Sequence, residues 1–124
     1  MLSDEILAYG ADILCLQEVD KLDTLLSAIG SMYSHIYTSG RGKQHGCMIL
    51  YKKSIYEEVS RRTVYYDEED VRQGGIVDDP SSTKWRRGLS RVTKNIALLA
   101  TLRRKDNPAQ RIILATTHLF WHPA

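Results

Sequence analysis

DILCLQEVD, residues 12–20, begins as an apolar run and ends in polar residues. Its near-continuous apolar character predicts a strand over Ile13–Val19 that is buried on both faces. Gln17 and Glu18 then place an amide and a carboxylate at the end of a rigid element, where side chains can line a cleft. The residues alone leave Glu18 open to two interpretations. It either caps the next helix or meets an arginine, or it binds a hard cation such as Mg²⁺.

Helices and strands alternate around this stretch. A short helix is predicted from Ser3, as its cap, to Gly10, where it ends. Leucines and an isoleucine at i, i+3, i+4 and i+7 predict a second helix from about Lys21 to Met32. The remaining predicted strands are Ser34–Thr38, Cys47–Tyr51, Tyr56–Tyr65, Asn95–Leu102 and Arg111–Thr117. This order predicts an α/β domain with mixed or antiparallel sheets.

Composition limits the class of protein. A chain of 124 residues has room for one small domain or part of a larger one, and 43% hydrophobic with 26% charged residues is ordinary for a globular protein. The net charge of +2 is too small to predict nucleic-acid binding by itself. Cys15 and Cys47 lie in apolar runs, which predicts reduced core thiols without a disulfide. No membrane span or signal peptide is evident. We expect an intracellular protein, cytoplasmic, with the nucleus or mitochondrion as alternatives.

The composition changes between Tyr66 and Arg91, where an acidic run, a Gly pair, Asp-Pro and a basic cluster replace the apolar pattern. This segment is predicted to be an exposed polar insertion. Its basic residues, together with Lys94 just after it, can be interpreted as a site for RNA phosphates or as a solvated face offset by the acidic residues 67–70. The residues concerned are Lys84, Arg86, Arg87, Arg91 and Lys94.

His118 follows the predicted strand IILATT as Glu18 follows its own. A histidine here can donate a hydrogen bond to a phosphate or exchange a proton near neutral pH, and a structural role is the alternative. His122 lies four residues later, but a strand end and a turn are a poor setting for a shared Zn²⁺. Trp121 is open to two interpretations, stacking on a base or packing beside the loop.

Four segments together resemble one known family. DILCLQEVD resembles the metal-binding strand of the endonuclease/exonuclease/phosphatase superfamily, whose Mg²⁺-dependent enzymes cleave phosphodiesters or phosphomonoesters. HGCMILYKKS (residues 45–54), RVTKNIALLATL (91–102) and ATTHLFWHP (115–123) resemble further motifs of its deadenylase branch, in the same order. That branch includes fungal Ngl-type RNA exonucleases, nocturnin and Angel proteins.

The resemblance implies a fold and a set of roles. It implies that residues 1–124 form the N-terminal part of a four-layer αββα sandwich of the DNase I-like type, with the insertion at about 66–91. Glu18 matches the ligand of the catalytic Mg²⁺, for which Mn²⁺ is an alternative. His118 matches a catalytic histidine that contacts the scissile phosphate, and Asn95 matches a substrate-binding asparagine. His45 stands where the family usually has aspartate, so a role for it stays open.

The resemblance also indicates what the chain lacks. The family has an asparagine on an upstream strand, a Gly-Asp-x-Asn motif and a C-terminal Ser-Asp-His, and this sequence contains none of them. We therefore expect a fragment of a Mg²⁺-dependent 3′ exoribonuclease acting on RNA such as poly(A), completed by the missing half of the domain or by a complementary partner chain. The alternatives are a non-catalytic truncated chain or partner-binding half-domain, and a phosphatase for a small phosphorylated molecule.

Overall fold

The structure is a computed structural model that describes residues 1–68 and 94–119. These residues form two helices and six strands. In chain order they are α1 (Leu2–Tyr9), β1 (Ile13–Val19), α2 (Leu22–Ile29), β2 (Tyr33–Ser39), β3 (Gly46–Lys52), β4 (Tyr56–Tyr65), β5 (Ile96–Arg104) and β6 (Arg111–Thr117). A 3₁₀ turn, Tyr66–Glu68, follows β4. Neither helix in these ranges is long and apolar enough to cross a membrane.

The strands form two separate antiparallel sheets. The first sheet has the order β1-β3-β2 and the second has the order β4-β5-β6. Each neighbouring pair within a sheet is antiparallel. The α/β class predicted from the order of elements is therefore confirmed, and of the two sheet types expected the described strands form the antiparallel one.

Two apolar clusters set the layers of the molecule. One cluster lies between the two sheets. It contains Ile49 of β3 in the first sheet and Leu98 and Leu102 of β5 in the second sheet. The other packs α1 and α2 against the opposite face of the first sheet. β3 contributes to both clusters and is buried from Gly46 to Tyr51. The described layers are thus helices, first sheet, second sheet, which is three layers of the predicted sandwich.

Several predicted boundaries hold and others are wrong. β1, β4 and β6 have the predicted limits. The helix predicted to be capped by Ser3 instead has Met1 at its N-cap position, and Ser3 is buried. Gly10 ends that helix as predicted, in a left-handed conformation that a residue without a Cβ adopts readily. The second helix ends at Ile29, earlier than predicted, because Gly30 caps it through Leu26.

The prediction that β1 is buried on both faces is also wrong. Cys15, Gln17 and Glu18 are exposed on this strand. The physical reason is the position of β1, which has β3 as its one neighbour in the described sheet and is therefore an edge strand. The two thiols consequently differ, since Cys15 is exposed and Cys47 is buried. Only Cys47 is a core thiol as expected.

Candidate active site

Glu18 lies in a β-bulge near the end of β1. Leu16 pairs with Met48 and Val19 with Gly46, so β1 has one more residue than β3 between these two pairs. Glu18 itself has a φ of 57°, in the left-handed region. A residue with a Cβ pays about 1–2 kcal/mol there. Bulges of this kind bend a strand and redirect a side chain, commonly beside active sites. The carboxylate of Glu18 is consequently presented at the surface, with 67% of the side chain exposed.

His118 follows the last residue of β6 and comes close to this carboxylate. Its Nε2 atom lies 3.2 Å from Oε1 of Glu18, and its side chain is 44% exposed. The two residues belong to the ends of strands in different sheets. The structure therefore brings together the two residues that the sequence singled out as metal ligand and catalytic histidine, at one edge of the space between the sheets.

Asn95 lies at the same end of the second sheet. Ala97 pairs with Thr117, so Asn95 precedes β5 at the level where His118 follows β6. Asn95 is buried, with 6% of its surface exposed. Its Oδ1 accepts a hydrogen bond of 2.7 Å from Nζ of Lys43, in the loop between β2 and β3. This bond brings a cation to the level of the site.

Two polar residues that the sequence reasoning did not select connect the strands that carry Glu18 and His118. Nε2 of Gln17 donates a hydrogen bond of 2.8 Å to Oγ1 of Thr116. Thr116 is buried, with 5% of its surface exposed. The sequence pointed to these two residues only through their position beside the candidates. Gln17 directly precedes Glu18, and Thr116 lies two positions before His118. The contact of Lys43 with Asn95 was harder still to predict, because the sequence of the loop that contains Lys43 does not indicate which residue it would bind.

The thiol of Cys47 connects β3 to the same region. Burial is the largest influence on this group and raises the pKa of Cys47. A hydrogen bond from the backbone N–H of His118 and the positive charge of Lys43 act in the opposite direction. Cys47 therefore lies within reach of both residues and stays a neutral thiol near pH 7.

The donor set suits a hard cation in part. Mg²⁺ is commonly held by one or two carboxylates, and waters and substrate phosphates fill its other positions. Glu18 offers one exposed carboxylate in a conformation fixed by the bulge. Within residues 1–68 and 94–119 no group of three or more His, Cys, Asp or Glu side chains could hold a metal ion. Glu18 can thus supply one ligand, and the described residues contain no complete cluster of three such side chains around it.

A cleft of about 440 Å³ borders the same strand end. Its lining comes from the start of α1, from β1 and from the start of α2, and it includes Gln17, Glu18 and Asp20. Glu18 therefore borders open space as well as contacting His118.

Two of the other candidates, His45 and Lys94, belong to the described residues. His45 is exposed in the loop before β3. The backbone N–H of Lys94 donates to Oδ2 of Asp67 at 2.7 Å. Six other predicted residues lie outside the described part of the chain, and so does most of the predicted insertion: Lys84, Arg86, Arg87, Arg91, Trp121 and His122.

Comparison with known proteins identifies the family. The sequence profile of the Endonuclease/Exonuclease/phosphatase family matches residues 1–115. The chain belongs to this family. The resemblance predicted from four segments is therefore confirmed.

Curated relatives within the family are much longer than this chain. The chain is 36% identical to a probable RNA exonuclease of Schizosaccharomyces pombe, in an alignment that covers 99% of the chain and 22% of the relative. It is 28% identical to the RNA exonuclease NGL2 of Saccharomyces cerevisiae, covering 99% and 24%. It is 29% identical to human 2′,5′-phosphodiesterase 12, covering 99% and 21%. The chain thus spans less than a quarter of the length of these relatives.

Solved structures of the family confirm the fold. ANGEL2, described as a 2′,3′-cyclic phosphatase and solved with adenosine-2′,3′-vanadate, superposes with a TM-score of 0.69 at 28% identity, covering 96% of this chain and 31% of ANGEL2. The catalytic domain of human nocturnin superposes with a TM-score of 0.67 at 23% identity, covering 98% and 41%. The DNase I-like α/β class predicted for the chain is confirmed by these superpositions.

Proposed function

We propose that the full-length protein carrying this sequence is a divalent-metal-dependent phosphodiesterase that shortens RNA from its 3′ end. The observation that carries the proposal is the 3.2 Å approach of Nε2 of His118 to Oε1 of Glu18. A carboxylate suited to a hard cation and a histidine suited to a phosphate oxygen lie side by side at a sheet edge.

Glu18 holds the metal in this proposal. Mg²⁺, or Mn²⁺ in its place, supplies Lewis-acid polarisation of a phosphoryl oxygen when bound. The contribution of the chain is to keep the carboxylate in place, since the left-handed backbone at Glu18 aims the side chain before any ligand arrives. A ligand that is already in position loses little conformational freedom on binding.

His118 acts on the phosphate in this proposal. When substrate binds, Nε2 of His118 would exchange its contact with Oε1 of Glu18 for a hydrogen bond to a non-bridging oxygen of the scissile phosphate, where negative charge grows as the nucleophile attacks. The half-exposed imidazole is accessible to a substrate that enters from solvent. His118 is thus assigned to transition-state stabilisation, beside the metal-binding carboxylate.

Asn95 and Lys43 form the substrate side of the proposed site. The Asn95 amide lies at the same strand-end level as His118, and the Lys43 ammonium group contacts its Oδ1. An ammonium group attracts the phosphates of a nucleic-acid strand, and an amide can donate hydrogen bonds to a sugar or base. We assign Asn95 to substrate binding, with Lys43 holding its orientation.

Relatives support RNA as the substrate, because two of them are described as RNA exonucleases. The proposal includes a preference for poly(A), because the sequence motifs resemble those of the deadenylase branch. Free thiols at Cys15 and Cys47 support an intracellular, cytoplasmic location. The remaining ligands and the rest of the binding cleft are assigned to the other part of the domain, supplied by the same chain or by a partner.

A second candidate function has a specific observation in its favour. ANGEL2, which superposes with a TM-score of 0.69, is described as a 2′,3′-cyclic phosphatase. The site proposed here would serve hydrolysis of a terminal phosphate equally well, since charge builds up on phosphate oxygens in both reactions.

The test is a substrate panel with full-length protein and Mg²⁺ or Mn²⁺. The panel holds a 5′-labelled oligo(A), a 5′-labelled RNA of mixed sequence, and an RNA ending in a 2′,3′-cyclic phosphate. We expect stepwise shortening from the 3′ end that requires the metal, with oligo(A) degraded faster. Opening of the terminal phosphate without shortening would favour the second candidate. Absence of both reactions would contradict the proposed function and favour a non-catalytic chain.

A further inference from the structure

The conformation of Glu18 needs a structural cause. A left-handed backbone at a residue with a Cβ persists where surrounding contacts enforce it. Glu18 sits near the end of β1, an edge strand of the described first sheet, and His118 follows β6, an edge strand of the described second sheet. Ends of edge strands have few neighbours and open readily, so the ladder hydrogen bonds alone hold this region weakly.

One hydrogen bond connects these two strand ends directly. Nε2 of Gln17 donates to Oγ1 of Thr116 over 2.8 Å, although the two residues are 99 positions apart. Gln17 is the residue before Glu18, and Thr116 is inside β6 two residues before His118. The bond therefore joins the two strands beside the two site residues, across the space between the sheets.

The two ends of this bond differ in burial. Thr116 is 5% exposed, and its side chain lies on the inner face of β6 beside Ile112 and Leu114, which pack against the core between the sheets. Gln17 is exposed on β1. The hydroxyl of Thr116 is buried in the core, and Gln17 connects the end of β1 to it. On the other side of Glu18, Oη of Tyr37 donates to the Val19 carbonyl at 3.3 Å, so both neighbours of Glu18 are held.

We infer that Gln17 and Thr116 are positioning residues, whose hydrogen bond fixes the bulge of Glu18 and the separation between Glu18 and His118 before metal or substrate binds. The inference deepens the proposed function and rests on it for its catalytic consequence. Its structural consequence, an ordered bulge in the metal-free protein, is independent of any activity.

The chain contains a matched control. Oγ1 of Thr63 on β4 lies 3.3 Å from Oγ1 of Thr38 on β2, so this pair also links the two sheets through a threonine hydroxyl. It joins strands other than those that carry Glu18 and His118. Thr63→Val therefore removes a cross-sheet hydroxyl contact without touching the bulge, and Thr116→Val removes the one beside it at nearly constant volume. Thr116→Ser keeps the hydroxyl.

The first measurement is amide hydrogen exchange in metal-free full-length protein. We expect Thr116→Val to speed exchange at Val19 and His118 by about tenfold, because the loss of one hydrogen bond lowers the free energy of local opening by roughly the amount that gives this factor. Thr116→Ser and Thr63→Val should stay near the wild-type rates. Unchanged exchange in Thr116→Val, or an equal increase in Thr63→Val, would overturn the inference.

The second measurement is steady-state kinetics with the RNA that wild-type protein degrades in the substrate panel described above. We expect Thr116→Val to lower kcat by about tenfold and to raise the Mg²⁺ concentration for half-maximal rate, with little change in KM. Thr116→Ser should restore kcat. A change confined to KM would overturn the catalytic part of the inference. If wild-type protein is inactive, the proposed function fails, and the exchange rates still decide whether the bulge is held in this way.

A second variant covers the case in which Thr116→Val does not fold. Gln17→Met removes the donor from the exposed end of the bond and leaves the Thr116 hydroxyl in place. The same faster exchange at Val19 and His118 is expected. Wild-type exchange in Gln17→Met would contradict the inference.

Discussion

Nε2 of His118 lies 3.2 Å from Oε1 of Glu18, and the two residues stand at the ends of strands from different sheets. Both side chains are substantially exposed, so the contact contributes at most about 1 kcal/mol to stability. In the proposed function the significance of the pair is chemical, because it would place a carboxylate for a cation beside a hydrogen-bond donor for a phosphate. The packing of the two sheets, not local sequence, creates this proximity.

Replacing His118 should affect turnover and leave stability nearly unchanged. In full-length protein, His118→Ala is expected to lower kcat by roughly 10²-fold or more, the effect of losing one transition-state hydrogen-bond donor. The melting temperature should change little because the side chain is half exposed. Steady-state kinetics and thermal unfolding measure the two effects.

The control for His118 is His35→Ala, which removes an exposed histidine from β2. It should leave both kcat and the melting temperature near wild type. A large fall in melting temperature with near-normal turnover in His118→Ala would restore a structural role for this histidine.

Gly46 should be intolerant of a side chain. A Cβ at Gly46 would lie 2.1 Å from the backbone oxygen of Thr38 on the neighbouring strand. Because this is backbone in a paired sheet, Gly46→Ala should destabilise the protein by about 3 kcal/mol. Gly10→Ala is the control, since no atom lies within 4 Å and only its φ of +58° is unfavourable, at about 1 kcal/mol. Urea unfolding of full-length protein compares them, and equal costs would contradict the close packing of β2 on β3.

The two cysteines should differ in reactivity. Cys15 is exposed and Cys47 is buried, so iodoacetamide at pH 8 should modify Cys15 first and reach Cys47 after unfolding. Peptide mass spectrometry measures the ratio. Faster modification of Cys47 in native protein would contradict the packing of β3.

The buried thiol gives a pH dependence. Burial raises the pKa of Cys47 above the ordinary value of 9.0, so the folded state keeps this proton to higher pH than the unfolded chain does. The free energy of unfolding should therefore fall as the pH rises past about 9. Cys47→Ala should weaken this decline, and a decline of unchanged size would show that other groups cause it.

Local pattern predicted the elements well, and it could not predict their arrangement. The limits of β1 and β6 follow from runs of apolar and β-branched residues bounded by turn signals. Exposure of Cys15 could not be read from its apolar run, because a strand at a sheet edge and one at a sheet centre can have the same sequence. Neighbours far along the chain decide which one forms.

Only part of the site could be predicted, because its remaining contacts also depend on neighbours far along the chain. Resemblance to a family pointed to Glu18, Asn95 and His118 one at a time, and the structure brings Glu18 and His118 into contact. The hydrogen bond between Gln17 and Thr116 depends on the packing of one sheet on the other. The left-handed backbone of Glu18 depends on the register of β1 with β3. Neither leaves a local pattern of spacing or composition.

The 124-residue polypeptide by itself should be inactive and prone to self-association. Glu18 is a single carboxylate without a cluster of further metal ligands among residues 1–68 and 94–119. β6 exposes Ile113 to 77% on an edge strand, a feature that promotes association between chains. Incubation with Mg²⁺ and labelled oligo(A), beside light scattering, tests both statements. Ile113→Lys should reduce scattering. A monomer that cleaves the RNA with multiple turnovers would contradict both statements.

The most direct measurement is a Mg²⁺ titration of full-length wild-type protein and its Glu18→Gln variant on a labelled RNA. A neutral amide cannot offset the charge of the cation, so Glu18→Gln should lose most activity and need far more Mg²⁺ for what remains. Glu5→Gln, at an exposed carboxylate of α1, serves as the control and should titrate like wild type. Equal activity and equal metal dependence of Glu18→Gln and wild type would contradict the assignment of Glu18 as the metal ligand.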